Sequence, residues 1–166
     1  GRNYAAFADA RKSLEKILGG KIVFDEISKR WQFRNDSKQR FPIGVTAEGV
    51  KKIAILDSLL SNRYLTPESV VFIDELESAL HPKAISQLLE IVVNLSIIGI
   101  QFFIASHSYY VIKKLYIFAR KNNIPVSVLS LDDDKCNQYN LLEGMPANSI
   151  IDEAISLYKE EVGLVL

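Results

Sequence analysis

Several residue types and patterns are scarce in this 166-residue chain, and each scarcity removes a class of protein. The single cysteine, Cys136, cannot form an internal disulfide, so a reducing, cytoplasmic setting is expected. Cysteine and histidine never occur at the short spacing of a zinc site. Twenty basic residues balance twenty acidic ones, so the net charge does not favour binding to nucleic acid or to an anionic membrane. A local basic patch is compatible with this neutral total.

Long apolar runs are also missing. No uncharged run approaches the roughly 20 residues of a membrane span, and the first residues, "GRNYAAFADARKSLEKI", lack the apolar core of a signal peptide. We therefore expect no membrane role. The hydrophobic content of 48% is instead typical of one globular domain, or of a large piece of one.

The first 60 residues predict a helix, a hairpin and a second helix. Apolar residues at helical spacing run from Tyr4 to Leu18 and stop at Gly19-Gly20. The runs "KIVFDEI" and "WQFRN" flank the polar turn "SKR" and predict an antiparallel hairpin. From Glu48 to Leu60 the apolar residues form one stripe, which predicts an amphipathic helix.

The second half alternates apolar runs with helical segments. The runs are "VVFID", "IQFFIAS" and "PVSVLSL", and the helical segments span Ile85 to Leu95 and Tyr109 to Lys121. Such runs are typical of parallel strands covered by helices on both faces. "CNQYNLL" predicts an added edge strand, and Pro146 to Glu161 a closing helix with Asn148 or Ser149 as N-cap.

We therefore predict an α/β fold in which a partly parallel sheet has flanking helices and a short N-terminal antiparallel hairpin precedes it. The prediction is a single domain over residues 1–166. Residues 1–45 form the first helix and the hairpin, and residues 46–166 form the second helix and a βαβαβ core.

Polar residues follow two of the predicted strands. Asp74 and Glu75 end "VVFID", and ligands of open α/β sheets bind at the carboxyl ends of strands. An acid there can hold magnesium, and the next one can orient an attacking water. A strand end followed by a helix cap explains the pair about as well. His107, after the next run, can donate a hydrogen bond to a phosphate or cap the helix that begins near Tyr109.

"VVFIDE", then "SALHP", then "ASHS" together resemble the distal half of ABC-type ATPase heads, as found in ATPases related to the SMC and OLD families. In those heads the three motifs are Walker B, the D-loop and the switch-histidine loop of a P-loop NTPase-like fold. The resemblance implies that Asp74 helps to hold Mg²⁺ and that Glu75 polarises the water attacking the γ-phosphate of ATP. It also implies that His107 contacts the γ-phosphate and that Ser78 faces a partner subunit.

The resemblance also implies a signature motif before Walker B, and "VTAEGVKKIAIL" stands in that place. Gly49 and the helix beginning there suit anion binding, because free backbone N–H groups and the helix dipole favour phosphate. The usual serine is replaced by Ala47, and a hydroxyl stands one place earlier, on Thr46. Lys51 and Lys52 either face phosphate or are solvated.

A Walker A loop, G-x-x-x-x-G-K-[ST], does not occur in the sequence. Gly19-Gly20-Lys21 lacks the earlier glycine, and Ile22 stands where Ser or Thr is needed. The resemblance covers about residues 20 to 166. Together with a start at "GRNYAAF", without Met, it favours the carboxy-terminal part of a longer ATPase, inactive alone.

The function that the resemblance implies is ATP hydrolysis by a head-to-tail homodimer, in which Gly49 serves one nucleotide and Asp74, Glu75 and His107 of the same chain serve the other. A DNA or nuclease partner, in DNA maintenance or phage defence, is an analogy of fold alone. The alternative is a nucleotide-incompetent interaction module with a degenerate ATPase fold.

Other residues favour a structural interpretation. The aromatic residues that suit an interaction module, Trp31, Phe33, Tyr109 and Tyr110, are more often core or hairpin packing. Glu77 is expected to be a solvated residue at a helix start. Asp132-Asp133-Asp134 is expected to be an exposed turn, because consecutive loop residues rarely converge on one ion.

Overall fold

The computed structural model describes residues 2–132 and 135–165, so Asp133 and Asp134 of the predicted acidic turn lie outside the described residues. The chain forms two compact units, Gly1–Ser106 and His107–Leu166. The elements in chain order are α1 (Arg2–Leu18), β1 (Gly20–Asp25), β2 (Arg30–Asn35), β3 (Arg40–Pro42), α2 (Glu48–Ser61), β4 (Val70–Asp74), α3 (Pro82–Ile97), β5 (Gln101–Ala105), α4 (Tyr109–Asn122), β6 (Ser127–Asp132), β7 (Lys135–Asn140) and α5 (Ser149–Val165).

The first unit begins with the predicted helix and hairpin. Helix α1 ends before Gly19, whose φ of +62° is the left-handed conformation that terminates many helices. Strands β1 and β2 pair antiparallel from Gly20↔Asn35 to Asp25↔Arg30. A third strand, β3, pairs antiparallel with β2. Sequence patterning missed β3 because three residues are too few for an alternation to show.

The β1–β2 turn is held by the carboxylate of Asp25. It accepts hydrogen bonds from Ser28 Oγ at 2.6 Å and from the backbone N–H of Ile27 at 3.2 Å. These bonds favour the ionised form, so they lower the pKa of Asp25, with Ser28 the larger cause. The hairpin turn is therefore a locally determined structure.

Strands β4 and β5 form the parallel pair that the sequence predicts, in the register Val70↔Gln101 to Asp74↔Ala105. The expectation that both faces of these strands are buried is wrong. One face leaves Val70, Phe72 and Phe103 exposed, and the rings of Phe72 and Phe103 stack with centroids 5.0 Å apart. Sequence cannot separate a strand covered on both faces from one whose second apolar face stays open.

The core of the first unit lies where α1 packs on α2 and on α3. Its fully buried side chains include Leu14, Ile53 and Leu89. Asp57, 4% exposed, accepts a hydrogen bond from Arg11 Nε at 3.1 Å, which ties α2 to α1. A buried carboxylate is stabilised only when paired in this way.

The second unit contains α4, β6, β7 and α5 around a core of Ile112, Ala119, Leu141 and Ile151. The prediction that the apolar run of β6 forms a third parallel strand is wrong, because β6 pairs antiparallel with β7. A short apolar run does not reveal its pairing partner. Asn148 is the N-cap of α5, since its Oδ1 accepts from the N–H of Ile151 at 3.0 Å.

The architecture is therefore mixed α/β: a small parallel sheet, flanking helices and an N-terminal antiparallel hairpin extended by a third strand. None of the helices within residues 2–132 and 135–165 has the length and apolarity required to cross a bilayer.

Candidate functional site

The two acids at the end of β4 are held by the parallel pair. Asp74 is the last residue of β4 and lies opposite Ala105 of β5. The backbone N–H of Glu75 donates to the carbonyl of Ala105 at 2.9 Å, which extends the ladder by one bond. Leu76 follows and is fully buried, whereas Asp74 and Glu75 are exposed. A buried anchor therefore fixes the chain directly after two exposed carboxylates.

The backbone beyond β4 turns sharply through two left-handed residues. Glu75 has φ +46° and Ala79 has φ +56°, a conformation that non-glycine residues adopt at a cost of about 1 to 3 kcal/mol each. The carbonyl of Glu75 accepts from the N–H of Ser78 at 2.9 Å and closes the turn. Strain of this kind persists only where surrounding contacts enforce it.

Lys52 of α2 supplies such contacts. Its Nζ donates to the backbone carbonyls of Asp74 at 2.8 Å and of Glu75 at 2.7 Å. One ammonium thus binds both peptide groups that carry the acid pair. Neither the solvated nor the phosphate-facing interpretation of Lys52 describes this contact. Only the tertiary approach of α2 to the end of β4 reveals it.

Replacing Lys52 with Met is expected to lower the free energy of unfolding by about 1 kcal/mol, because two carbonyl acceptors lose a charged donor. The matched control is Lys51→Met at the next position. Among the residues that the structure describes, Lys51 pairs with Glu48 alone, at 3.0 Å on the helix surface, and such pairs contribute about 0.5 kcal/mol or less. Urea unfolding of both variants measures the difference; equal losses would show that the Lys52 contact has no special effect.

Gly49, the predicted signature glycine, is buried against the turn after Glu75. A Cβ at this position would lie 2.5 Å from Leu80 Cδ2 and 2.9 Å from the carbonyl oxygen of Ala79. The second residue of α2 therefore has no space for a side chain. Glycine at position 49 brings the start of α2 into direct contact with the predicted D-loop.

The remaining predicted binding residues lie in the same unit. Thr46 is half-buried, and its Oγ1 donates to the carbonyl of Ile43 at 2.7 Å. Ala47 is the N-cap residue of α2 and forms no side-chain cap. Ser78 is half-buried within the turn that follows Glu75. The nucleotide-binding roles of these three residues and of Gly49 stay predictions.

Glu77 is not the solvated residue that we expected. Its Oε1 accepts a hydrogen bond from Ser106 Oγ at 2.7 Å, and its Oε2 is buried without a partner in the part of the chain that the structure describes. The contact joins the turn after β4 to the segment after β5. Sequence reasoning missed it because the two residues lie 29 positions apart.

The two histidines have different positions. His81 is the N-cap of α3, and its Nδ1 accepts from the N–H of Lys83 at 3.2 Å, with Pro82 at the first helical position. His107 is the first residue of the second compact unit, just before α4. Its predicted role beside the γ-phosphate stays a prediction.

The chemistry of the acid pair fits magnesium held jointly with a nucleotide. The described residues contain no group of three or more His, Cys, Asp or Glu side chains able to hold a metal ion by themselves. Mg²⁺ is usually held by one or two carboxylates together with substrate phosphates and water. The exposed carboxylate of Asp74 suits one such ligand, and this role stays a prediction.

Comparison with known proteins identifies the family of the chain. Residues 1–113 match the family model described as "AAA domain, putative AbiEii toxin, Type IV TA system". No curated protein matches the chain.

Two solved structures are similar in fold. One comes from work on the structural biochemistry of ATP-driven dimerization and DNA-stimulated activation of SMC ATPases. Its TM-score is 0.55 at 13% identity, over 96% of this chain and 92% of that one. The other is an Smc head bound to the C-winged helix domain of ScpA, with a TM-score of 0.56 at 13% identity, over 84% of this chain and 43% of that one. At these identities the likeness concerns the fold alone.

Proposed function

This chain belongs to the AAA-domain family, and from that premise we propose that it forms the part of an ATP-hydrolysing ABC-type head that carries the Walker B acids. The observation that carries the proposal is the geometry of Asp74 and Glu75. Both are exposed at the carboxyl end of a parallel strand, and Lys52 binds both of their carbonyls. A strand end that is merely solvated would need neither the two hydrogen bonds from Lys52 nor a left-handed backbone at Glu75.

Each acid has a distinct role in the proposed reaction. Asp74 would hold Mg²⁺, which supplies neutralisation of the phosphate charge when it is bound. Glu75 orients a water molecule toward the γ-phosphorus and accepts its proton as the bond to the ADP oxygen breaks. The buried Leu76 and the hydrogen bond from Lys52 to the Glu75 carbonyl keep the backbone at Glu75 fixed.

Two chains would act together, head to tail. In this arrangement Gly49, with Thr46 and Ala47 at the start of α2, serves the nucleotide of the partner, and Ser78 faces the partner subunit. Asp74, Glu75 and His107 serve the chain's own nucleotide. The likeness to the fold of SMC ATPases, for which ATP-driven dimerization is described, supports a homodimer.

The phosphate-binding Walker A loop would come from polypeptide outside these 166 residues. Two observations support this. The sequence contains no G-x-x-x-x-G-K-[ST]. One face of the β4–β5 pair also leaves Phe72 77% exposed and Phe103 46% exposed, which suits a sheet face that further structure covers.

The direct test is Mg-ATP hydrolysis by the longest natural chain that contains this segment. We expect phosphate release that requires both Mg²⁺ and ATP. The rate per chain should rise with protein concentration, because two heads must associate. Phosphate release at several protein concentrations measures this. Absence of turnover at all concentrations would reject the proposal.

The 166 residues alone are expected to bind ATP only weakly, since the backbone amides and lysine that cradle phosphates are not among them. Isothermal calorimetry with Mg-ATP measures the affinity, and a binding-competent ATPase of the same family serves as the positive control. A submicromolar dissociation constant for this chain would contradict the expectation.

The cellular task of the ATPase is proposed only by analogy, as DNA maintenance or phage defence with a DNA or nuclease partner. A reducing cytoplasm suits Cys136, which is exposed and unbridged.

The second candidate is a nucleotide-free interaction module. The exposed aromatic residues of the antiparallel sheet favour it: Phe24 and Trp31 are 41% and 46% exposed and meet edge to face. Turnover that depends on Glu75 would reject this candidate.

A further inference from the structure

The antiparallel sheet carries a row of three cations. Lys21 of β1 lies directly opposite Arg34 of β2, and Arg34 lies directly opposite Arg40 of β3. Directly opposed residues in antiparallel strands project from the same face of the sheet. The three side chains therefore form one row across all three strands, which we call the cationic row.

The cationic row is unfavourable for the fold by itself. Like charges directly opposite one another destabilise a sheet. Within the described residues, no hydrogen bond or ion pair satisfies the side chain of Lys21, Arg34 or Arg40. Arg40 interacts electrostatically with Asp25, so the described residues offset the charge of the row only in part, and an anion from outside them would stabilise it further.

The cationic row lies along an open depression of about 490 Å³, to which Lys38 adds a fourth cation. Two acids also line it. Glu15 is paired with Arg11 at 3.7 Å, which leaves Asp36 as the only other negative charge in the lining. The depression is therefore locally basic, although the chain as a whole is neutral.

The shape and spacing of the cations indicate the ligand. Three neighbouring strands span about 10 Å, and the cationic row extends over that distance. A single small anion would reach only part of it, whereas a polymer with regularly repeated charges reaches all of it. Two of the cations are arginines, whose planar guanidinium groups form paired hydrogen bonds with phosphate oxygens.

We propose that the cationic row binds the phosphodiester backbone of a nucleic acid. Such contacts position a nucleic acid without reading its sequence. The site is independent of the proposed ATPase activity, because it lies on the antiparallel sheet and uses none of the residues at the end of β4.

The test is fluorescence anisotropy of the 166-residue chain with labelled 30-nucleotide DNA, single-stranded and duplex, between 50 and 200 mM salt. We expect a dissociation constant of about 10 µM at the lowest salt, as is typical of non-specific binding. The slope of log K against log salt should be about −2.7 for duplex or −2.1 for single strands if three phosphates are contacted. The lower dissociation constant identifies the preferred form.

The variant neutralises the cationic row as Lys21→Gln, Arg34→Gln and Arg40→Gln together. We expect affinity to fall at least about tenfold and the salt slope to approach zero. The melting temperature should stay the same or rise, because three opposed charges are removed. The matched control, Lys12→Gln, Lys83→Gln and Lys121→Gln, removes the same charge from exposed positions elsewhere and should retain most of the binding.

Three results would overturn the proposal. One is no binding of either DNA at 50 mM salt. Another is an equal loss of affinity in the two triple variants, which would indicate general charge attraction. The third is a row that binds polyglutamate but not DNA, which would make its ligand an acidic protein.

Discussion

Replacing Glu75 with Gln is expected to reduce Mg-ATP turnover by about 100-fold or more in the longest natural chain, while ATP binding is retained. The amide of Gln matches the size of the carboxylate but cannot accept a proton from water. The hydrogen bonds from Lys52 and Ser78 should survive, because they reach the backbone carbonyl of residue 75, which the substitution leaves in place. If two heads close around ATP as proposed, the ATP-bound dimer should accumulate, because hydrolysis no longer opens it.

Steady-state phosphate release and light scattering with ATP measure the two effects. Glu77→Gln is the matched control two residues away. Glu77 contacts Ser106 and lies beyond the strand end, so the neutral amide should change turnover far less. Unchanged turnover in Glu75→Gln would reject its role as the base, and a similar loss in both variants would point to a general disturbance of the turn.

Replacing Gly49 with Val is expected to lower the free energy of unfolding by about 3 kcal/mol. The first carbon of the new side chain would already overlap Leu80 and approach the carbonyl oxygen of Ala79 to 2.9 Å. Ala79 is held at φ +56°, so its backbone has little freedom to move aside. Either α2 separates from the turn or the turn rearranges.

The control for this variant is Gly163→Val in α5, where an added Cβ meets no atom within 4 Å. Valine and glycine differ by less than about 0.5 kcal/mol in helix propensity, so this substitution should be nearly neutral. Urea unfolding of the whole chain, monitored by far-ultraviolet circular dichroism, separates the two outcomes. A neutral Gly49→Val would mean that the predicted D-loop yields easily and does not depend on α2.

The Gly49 contact also links two functions that the sequence resemblance assigns separately. The predicted signature motif and the predicted D-loop touch at Gly49 and Leu80, and Lys52 of the same helix binds the carbonyls of the acid pair. A displacement of α2 by a partner's nucleotide would therefore reach Glu75 directly. If the two-chain proposal holds, these contacts couple one site to the other.

Local sequence determined much of this protein. Helix α1 ends where Gly19 permits a left-handed residue, Asn148 caps α5, and the apolar runs became β4 and β5 with Asp74 at the strand end. These features depend on residues close together in the chain, so periodicity and capping rules find them. The motif order supplied the family that the comparisons then bore out.

The tertiary structure alone decided the features that join distant residues. Lys52 reaches carbonyls 22 and 23 positions away, and Glu77 meets Ser106 across 29 positions. Strand β6 pairs with β7 instead of extending the parallel sheet, and the cationic row exists only in the register of β1, β2 and β3. Sequence patterns record which face of an element is apolar, but they do not record which element lies against it, because that choice depends on the packing of the whole chain.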